Sequence, residues 1–226
     1  MSNLNNLKGL IIPTIEEEYF KKIEFHFDSP EALKGKNKTI NHFVTIAKYF
    51  HDEGARVLQV ITDDSSVIKD IKRQYNRVLI ISGGHIDSVD EAIKFLNNKS
   101  DYVIIERLFA KSPNLMKNYL KLFGKHLVVS IGDNNGFLES NQNIKTLKFA
   151  QLLKMHGIKN SVYVSANTKL TGRINLKTFE EIRDIFDTGL LGYSGGISSY
   201  NQIDRLKRGG AEFIIVFLKN RSISFL

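Results

Sequence analysis

Hydrophobic residues in this chain fall into eight short runs of strand length, separated by stretches in which apolar positions recur with helical spacing. The runs are rich in Val, Ile and Leu and are bounded by turn residues, which is typical of strands buried on both faces of a parallel sheet. They occupy residues 9–15, 57–61, 78–81, 102–105, 127–131, 161–165, 190–193 and 213–217. The pattern therefore predicts eight strands that alternate with helices.

The helices are predicted from their apolar faces and from signals at their ends. Ser88 followed by Glu91 is typical of a capping box at a helix start, and Gly124 follows a stretch with helical spacing. Eight alternations with short connections predict an α/β fold, a (β/α)8 TIM barrel, as a single domain over residues 1–226. Only residues 218–226 follow the last strand, so the closing helix is predicted to be short or absent. Either the barrel is open there, or another subunit covers it.

A Ser-Gly-Gly phrase occurs twice, about half a chain length apart, each time between a predicted strand and a helix that begins at a serine. This repetition predicts a barrel built from two half-barrel repeats. Glycine turns before a helix expose backbone N–H groups that can bind an anion. We therefore predict phosphate binding at Gly83 and Gly84 in the first copy, and at Ser194, Gly195 and Gly196 in the second. The alternative is that the glycines only permit tight turns.

Composition bounds the class of protein. The chain has 226 residues, of which 42% are hydrophobic and 25% are charged, as in ordinary globular domains. It contains no cysteine, which excludes disulfides and thiolate chemistry. No apolar run approaches the roughly 18 residues of a membrane span, and the polar residues 1–8 do not resemble a signal peptide. We expect a cytoplasmic protein that does not contact membranes.

The net charge of +8 raises the question of nucleic-acid binding. The lysines are spread over the predicted helix surfaces instead of being gathered in one block, so this hypothesis rests on net charge alone. A basic field also attracts a phosphorylated small-molecule substrate, which is the partner that we predict. The adjacent Asp63 and Asp64 could bind a divalent metal, but two acids without further ligands are more typical of a polar loop. We predict no metal site and no cofactor.

Several short motifs resemble one known family. They are the Ile-Ile-Pro-Thr-Ile run at 11–15, the two Ser-Gly-Gly turns, and Leu170-Thr171-Gly172 with Asn175. Their order and spacing are similar to the histidine-biosynthesis ribotide isomerases (HisA), half-barrel duplications related to the cyclase subunit of imidazole glycerol phosphate synthase. The resemblance implies an Amadori rearrangement, in which a bis-phosphorylated aminoaldose opens and becomes an aminoketose. This chemistry needs one acid and one base.

The family's two catalytic positions are both changed in this chain. The family has an Asp at the end of strand one and another at the end of strand five, where this chain has Glu16 and Gly132. Glu16 could still carry a proton, although it is one methylene longer. The neighbouring Asp133 is a candidate for the missing catalytic group, although strand alternation points it away from the centre unless the strand bulges, and His85 is the other candidate. A catalytic threonine on strand six of the family could map to Ser165.

The positions that should admit the two phosphates are changed as well. Glu106 and Phe217 stand where the family has glycines in strands four and eight, and His85 and Asp87 stand where it has Gly and Arg. Two hypotheses follow. The chain is a ribotide isomerase of histidine biosynthesis, impaired or acting on another sugar phosphate. Alternatively, it is a degenerate paralogue that binds a phosphorylated ligand or a partner protein without turnover. A homo- or hetero-oligomer could form through the region near the eighth strand.

Overall fold

The computed structural model describes residues 7–16, 38–84, 86–166, 172–187 and 189–217. These residues contain ten strands: β1 (Ile11–Glu16), β2 (Val57–Ile61), β3 (Leu79–Gly83), β4 (Tyr102–Ile105), β5 (Leu127–Asn134), β6 (Phe137–Leu138), β7 (Asn141–Lys145), β8 (Asn160–Ser165), β9 (Leu190–Ser194) and β10 (Phe213–Phe217). Eight of them pair in parallel in the order β1, β2, β3, β4, β5, β8, β9, β10, and β10 pairs back onto β1. The barrel is therefore closed, and the eight predicted strands are confirmed.

Helices cover the outside of this barrel. They are α1 (Lys38–Asp52), α2 (Ser66–Gln74), α3 (Val89–Asn97), α4 (Arg107–Lys111), α5 (Met116–Phe123), α6 (Thr146–Met155), α7 (Leu176–Ile185) and α8 (Tyr200–Arg208), with 3-10 turns at Pro113–Leu115 and Gly124–His126. The capping box expected at Ser88 and Glu91 is formed. The architecture is the (β/α)8 TIM barrel expected from the sequence. Residues 218–226, where a short or absent closing helix was predicted, lie outside the described residues.

Side chains on each strand alternate between two apolar layers. One layer fills the inside of the barrel and includes Ile12, Ile104 and Val162. The other lies between the strands and the helices and includes Ile131 and Tyr163. This alternation decides which residues at the strand ends can face the barrel axis, where a TIM barrel binds its ligands.

A β-hairpin interrupts the alternation after the fifth strand. β5 runs three residues beyond its predicted end, and a turn with positive φ at Asn135 (55°) and Gly136 (87°) leads into β6 and β7. The sequence Asn-Gly favours this backbone conformation. The hairpin that follows it was not predicted, and it brings Glu139 and Ser140 over the mouth of the barrel.

No helix among the described residues is long and apolar enough to cross a membrane.

Candidate active site

The carboxyl ends of the barrel strands enclose a cavity of about 220 Å³. Its apolar wall consists of Ile61, Ile104, Val162, Val164, Ile215 and Phe217. Four ionisable side chains line it: Glu16, Glu106, Arg107 and Glu139. An apolar wall with a few ionisable groups is typical of a small-molecule site, although ligand pockets more commonly measure roughly 300–1,000 Å³.

Glu16 lies at the end of β1 in an inward position, half-buried, and lines the cavity as the alternation from Ile12 predicts. One layer deeper, the Thr14 hydroxyl donates a 2.7 Å hydrogen bond to Oε1 of Gln59, which also lines the cavity. Sequence reasoning did not single out Thr14 or Gln59. Their inward strand positions were the only signal that could have found them.

Glu106 is held by hydrogen bonds from β5 and from the hairpin loop. It follows β4 directly, and its Oε2 accepts a 2.5 Å hydrogen bond from the backbone N–H of Gly132 and a 3.5 Å hydrogen bond from the Ser130 hydroxyl. Its Oε1 accepts a 3.2 Å hydrogen bond from the Ser140 N–H of the hairpin loop. Burial raises the pKa of the Glu106 carboxyl above its ordinary value, and the nearby charge of Glu139 adds to this, while the hydrogen bonds oppose it.

The glycine at position 132 and the glutamate at position 106 depend on each other. A Cβ placed on Gly132 would lie 2.5 Å from Oε2 of Glu106 and 3.1 Å from Cβ of Glu139. The Glu106 carboxyl therefore occupies the space into which a side chain on residue 132 would project. The Glu106 carboxyl thus contacts the end of β5.

The first Ser-Gly-Gly turn follows β3. Gly84 has a φ of +115° and lines the cavity, so this turn requires a residue without a side chain. Gly83 is buried at the strand end, where a Cβ would lie 3.0 Å from Nε2 of Gln59. His85, which the sequence suggested as an alternative catalytic group, lies outside the described residues.

The helix that follows this first turn is already supplied with negative charge. The backbone N–H groups of Asp87 and Ser88 donate to Oε2 of Glu91 at 2.8 and 3.1 Å, and the Ser88 hydroxyl accepts from the Glu91 N–H at 3.2 Å. The Asp87 carboxylate pairs with Arg107 at 3.0 Å. The protein's own carboxylates therefore satisfy much of the positive potential that a phosphate would use.

The second Ser-Gly-Gly turn follows β9, the strand that corresponds to β3 in the other half-barrel. Ser194 is 3% exposed and lines the cavity. Gly195 and Gly196 have φ values of +100° and +66°, and a Cβ on Gly195 would lie 2.7 Å from the carbonyl oxygen of Ser165. This turn thus requires glycine for both its conformation and its close packing.

The helix after the second turn carries a neutral cap. Gln202 takes the place that Glu91 has in the first copy: its Oε1 accepts from the Ser198 N–H at 2.6 Å, and its Nε2 donates to the Gly172 carbonyl at 2.6 Å. The Ser199 hydroxyl caps the Gln202 N–H at 3.4 Å. The first turn of α8, which is described in full, contains no acidic residue. The positive end of this helix is therefore not neutralised by a carboxylate of that turn, unlike its counterpart.

Asp133 and Ser165, two of the three predicted catalytic residues, lie in the outer layer and do not line the described cavity. Asp133 is 2% exposed, and its carboxylate accepts hydrogen bonds from the Thr146 hydroxyl (2.6 Å), the Tyr163 hydroxyl (3.0 Å) and the Gly136 N–H (3.0 Å). Strand alternation places both residues on the helix side, since Val164 and Gly132 hold the inward positions. The geometry gives no support to a catalytic role for Asp133 or Ser165.

This outer network joins β5, β8 and two helices. Asn175 caps α7 through its bond from the Thr178 N–H at 3.4 Å, and its amide donates to the Tyr163 hydroxyl at 2.9 Å. Burial, together with the neighbouring Asp133 carboxylate, raises the pKa of the Tyr163 hydroxyl. The network stabilises the fold behind the cavity instead of acting in it.

The two acids considered for a metal form a polar turn. Oδ1 of Asp64 accepts from the Ser66 N–H at 2.9 Å, and the Asp64 N–H donates to the Thr62 hydroxyl at 3.1 Å. In the described part of the chain, no three or more His, Asp or Glu side chains are grouped to hold a metal ion.

Comparison with known proteins places the chain among biosynthetic enzymes. A sequence model of the family described as histidine biosynthesis protein matches residues 32–217. A 1-(5-phosphoribosyl)-5-((5-phosphoribosylamino)methylideneamino)imidazole-4-carboxamide isomerase from Caldicellulosiruptor saccharolyticus is 30% identical over 187 residues, covering 75% of this chain and 78% of that protein. An isomerase of the same name from Methanosphaera stadtmanae is 23% identical over 223 residues, covering 92% of both. The chain belongs to the histidine biosynthesis protein family and is a HisA-like member of it.

Proposed function

We propose that this protein is an aldose–ketose isomerase that rearranges a phosphorylated aminoaldose, with Glu16 as one of its two acid/base groups. The observation that carries the proposal is the position of Glu16: an inward carboxyl at the end of β1, lining a cavity with an apolar wall at the mouth of a HisA-like barrel. An Amadori rearrangement needs no more than a proton donor and a proton acceptor on either side of the sugar.

The phosphate of the substrate is proposed to bind at Ser194, Gly195 and Gly196. This turn keeps its required glycines, and the helix behind it has a neutral cap. The first turn differs, because Glu91 and Asp87 place carboxylates at the corresponding helix start. A substrate held by phosphate at one end only therefore fits this cavity better than one held at both ends.

The test is an isomerase assay with the purified protein. The substrate is phosphoribosylformimino-AICAR ribotide, compared with an analogue that carries one phosphate. Turnover above background is expected for the protein and for Glu181→Gln, which changes an exposed carboxyl on α7. Glu16→Gln should lower kcat by about 100-fold or more, the usual contribution of an acid/base group. If neither substrate is turned over, the proposal is wrong.

A non-catalytic paralogue that binds a phosphorylated ligand is the second candidate. It is favoured by one observation: the first turn is capped by Glu91 and flanked by the Asp87–Arg107 ion pair, so that half of the barrel offers little to a second phosphate. Titration calorimetry with the ribotide separates the two candidates. Micromolar binding without any turnover, abolished by Gly195→Ala, would favour the paralogue.

A further inference from the structure

We infer that Glu106 is the second acid/base group of this cavity, supplied by β4 in the space that Gly132 leaves on β5. The inference rests on the proposed isomerase function and names the partner of Glu16. Glu106 lines the same cavity as Glu16 and is the residue at which β4 ends and α4 begins.

What matters for the chemistry is where the carboxyl lies, irrespective of which strand carries it. A Cβ on Gly132 would meet Oε2 of Glu106 at 2.5 Å, so a short acidic side chain on residue 132 and the Glu106 carboxyl would compete for one place. The backbone N–H of Gly132 itself donates to that oxygen. The end of β5 therefore still has a carboxyl beside it, although its own residue has no side chain.

The order of the strands puts this carboxyl opposite Glu16. In the closed barrel β5 is the fourth strand from β1 in either direction. A ligand in the cavity between them would have Glu16 on one side and Glu106 on the other. A proton donor and a proton acceptor on opposing sides of a sugar are what ring opening and enolisation require.

The surroundings of Glu106 favour the protonated form. Burial raises its pKa, Glu139 on the hairpin raises it further, and the bonds from Gly132 and Ser140 oppose the shift. Arg107 is the neighbouring cation, but it pairs with Asp87 at 3.0 Å. A carboxyl that favours its protonated form is suited to the role of the acid in an acid/base pair.

With these two groups, every proton that the rearrangement moves has a donor and an acceptor. The Glu106 carboxyl donates its proton to the ring oxygen as the C1–O bond breaks and the nitrogen lone pair forms the C1=N bond. The Glu16 carboxylate removes the C2 proton, whose bonding electrons form C1=C2 while the C=N electrons return to nitrogen. Glu16 then protonates C1, and the 2-hydroxyl gives its proton to the Glu106 carboxylate as the ketone forms. Both groups end in their starting states, and no co-reactant is consumed.

The first experiment compares kcat of the wild type, Glu106→Gln and the control Glu181→Gln with the ribotide as substrate. Glu106→Gln keeps the size of the side chain but holds no transferable proton, so kcat should fall by about 100-fold or more. The wild-type pH profile should lose activity on its alkaline side as the acid is deprotonated. The residual activity of Glu106→Gln should not decline on the alkaline side of the pH profile. A merely structural role of Glu106 would not remove this decline.

The second experiment moves the carboxyl from β4 back to β5. Glu106→Gly alone should lower kcat by about 100-fold or more, and adding Gly132→Asp should recover at least about tenfold of this loss, because the 2.5 Å contact between a Cβ on residue 132 and Oε2 of Glu106 is then removed. Thermal melting establishes that each variant is folded. A folded double variant no more active than Glu106→Gly contradicts the exchange of places.

The outcomes separate this inference from the function on which it rests. Near wild-type kcat in Glu106→Gln overturns the inference and leaves the isomerase function standing. A wild-type protein without turnover overturns the function and the inference together. Loss in Glu106→Gln with recovery in the double variant supports both.

Discussion

The dependence between Gly132 and Glu106 can be measured by a double-mutant cycle in stability. In Gly132→Ala the new methyl would lie 2.5 Å from Oε2 of Glu106, about 1 Å closer than ordinary contact. That oxygen cannot move without losing its hydrogen bond from the Gly132 N–H, and the adjacent Oε1 is held by Ser140. Overpacking together with the loss of this hydrogen bond should lower the free energy of unfolding by about 2 kcal/mol.

Part of this cost is offset, because alanine restricts the unfolded chain and so stabilises by about 0.4–1 kcal/mol. The net effect of Gly132→Ala in the wild-type background is then about 1–2 kcal/mol of destabilisation. In the Glu106→Ala background the contact with Oε2 is removed, while the 3.1 Å contact with Cβ of Glu139 remains as in the wild type, so the same substitution should be much less destabilising. The coupling free energy between the two sites should therefore be about 1.5–2 kcal/mol.

Urea unfolding of the four proteins gives this coupling directly. The coupling is refuted if the effects of the two substitutions on the free energy of unfolding are additive within about 0.5 kcal/mol, the scatter expected for independent sites. Additivity would mean that the Glu106 carboxyl does not occupy the space beside Gly132.

Three further predictions follow from the site and its surroundings. Gly195→Ala should destabilise by more than about 2 kcal/mol in thermal or urea unfolding, because a residue with a side chain would be strained at a φ of +100° and would lie 2.7 Å from a carbonyl oxygen. Asp133→Ala should cost about 3 kcal/mol or more by leaving the buried Thr146 and Tyr163 hydroxyls without their acceptor, yet lower turnover of the folded protein less than tenfold; a 100-fold loss would show a catalytic role after all. The pKa of Glu106 is raised in the folded state from its ordinary 4.5, so the folded protein holds this proton to higher pH than the unfolded chain does, and the contribution of Glu106 to stability falls as pH rises above about 4.5. The difference in unfolding free energy between wild type and Glu106→Gln should therefore decline over that range. A rise in this difference would contradict a raised pKa.

The barrel and the two turns could be predicted from the sequence because they depend on local patterns. Apolar runs of strand length gave eight strands, and the repeated Ser-Gly-Gly phrase gave the matching turns after β3 and β9. The same alternation placed Glu16 inward and Asp133 outward. These features need only the periodicity of a strand and the conformational freedom of glycine.

The hairpin and the position of the Glu106 carboxyl could not be predicted in this way. β7 (Asn141–Lys145) is mostly polar, so it lacks the apolar alternation that marks a strand. The contacts of Glu106 with Gly132 and Ser140 join residues that are distant in sequence, and a side-chain contact of this kind leaves no periodic signal. The pairing of Asp87 with Arg107, the first residue of α4, is a contact of the same type.

The most direct test of the central claim is an NMR measurement of the ribotide incubated with the protein in deuterated water. We expect conversion to the aminoketose, with deuterium entering at C1 to the extent that the carboxyl proton exchanges with solvent during turnover. Glu16→Gln and Glu106→Gln should each convert about 100-fold more slowly, while Glu181→Gln converts at the wild-type rate. Ribotide and one-phosphate analogue that both bind to the protein but remain unchanged would contradict the proposed isomerase function.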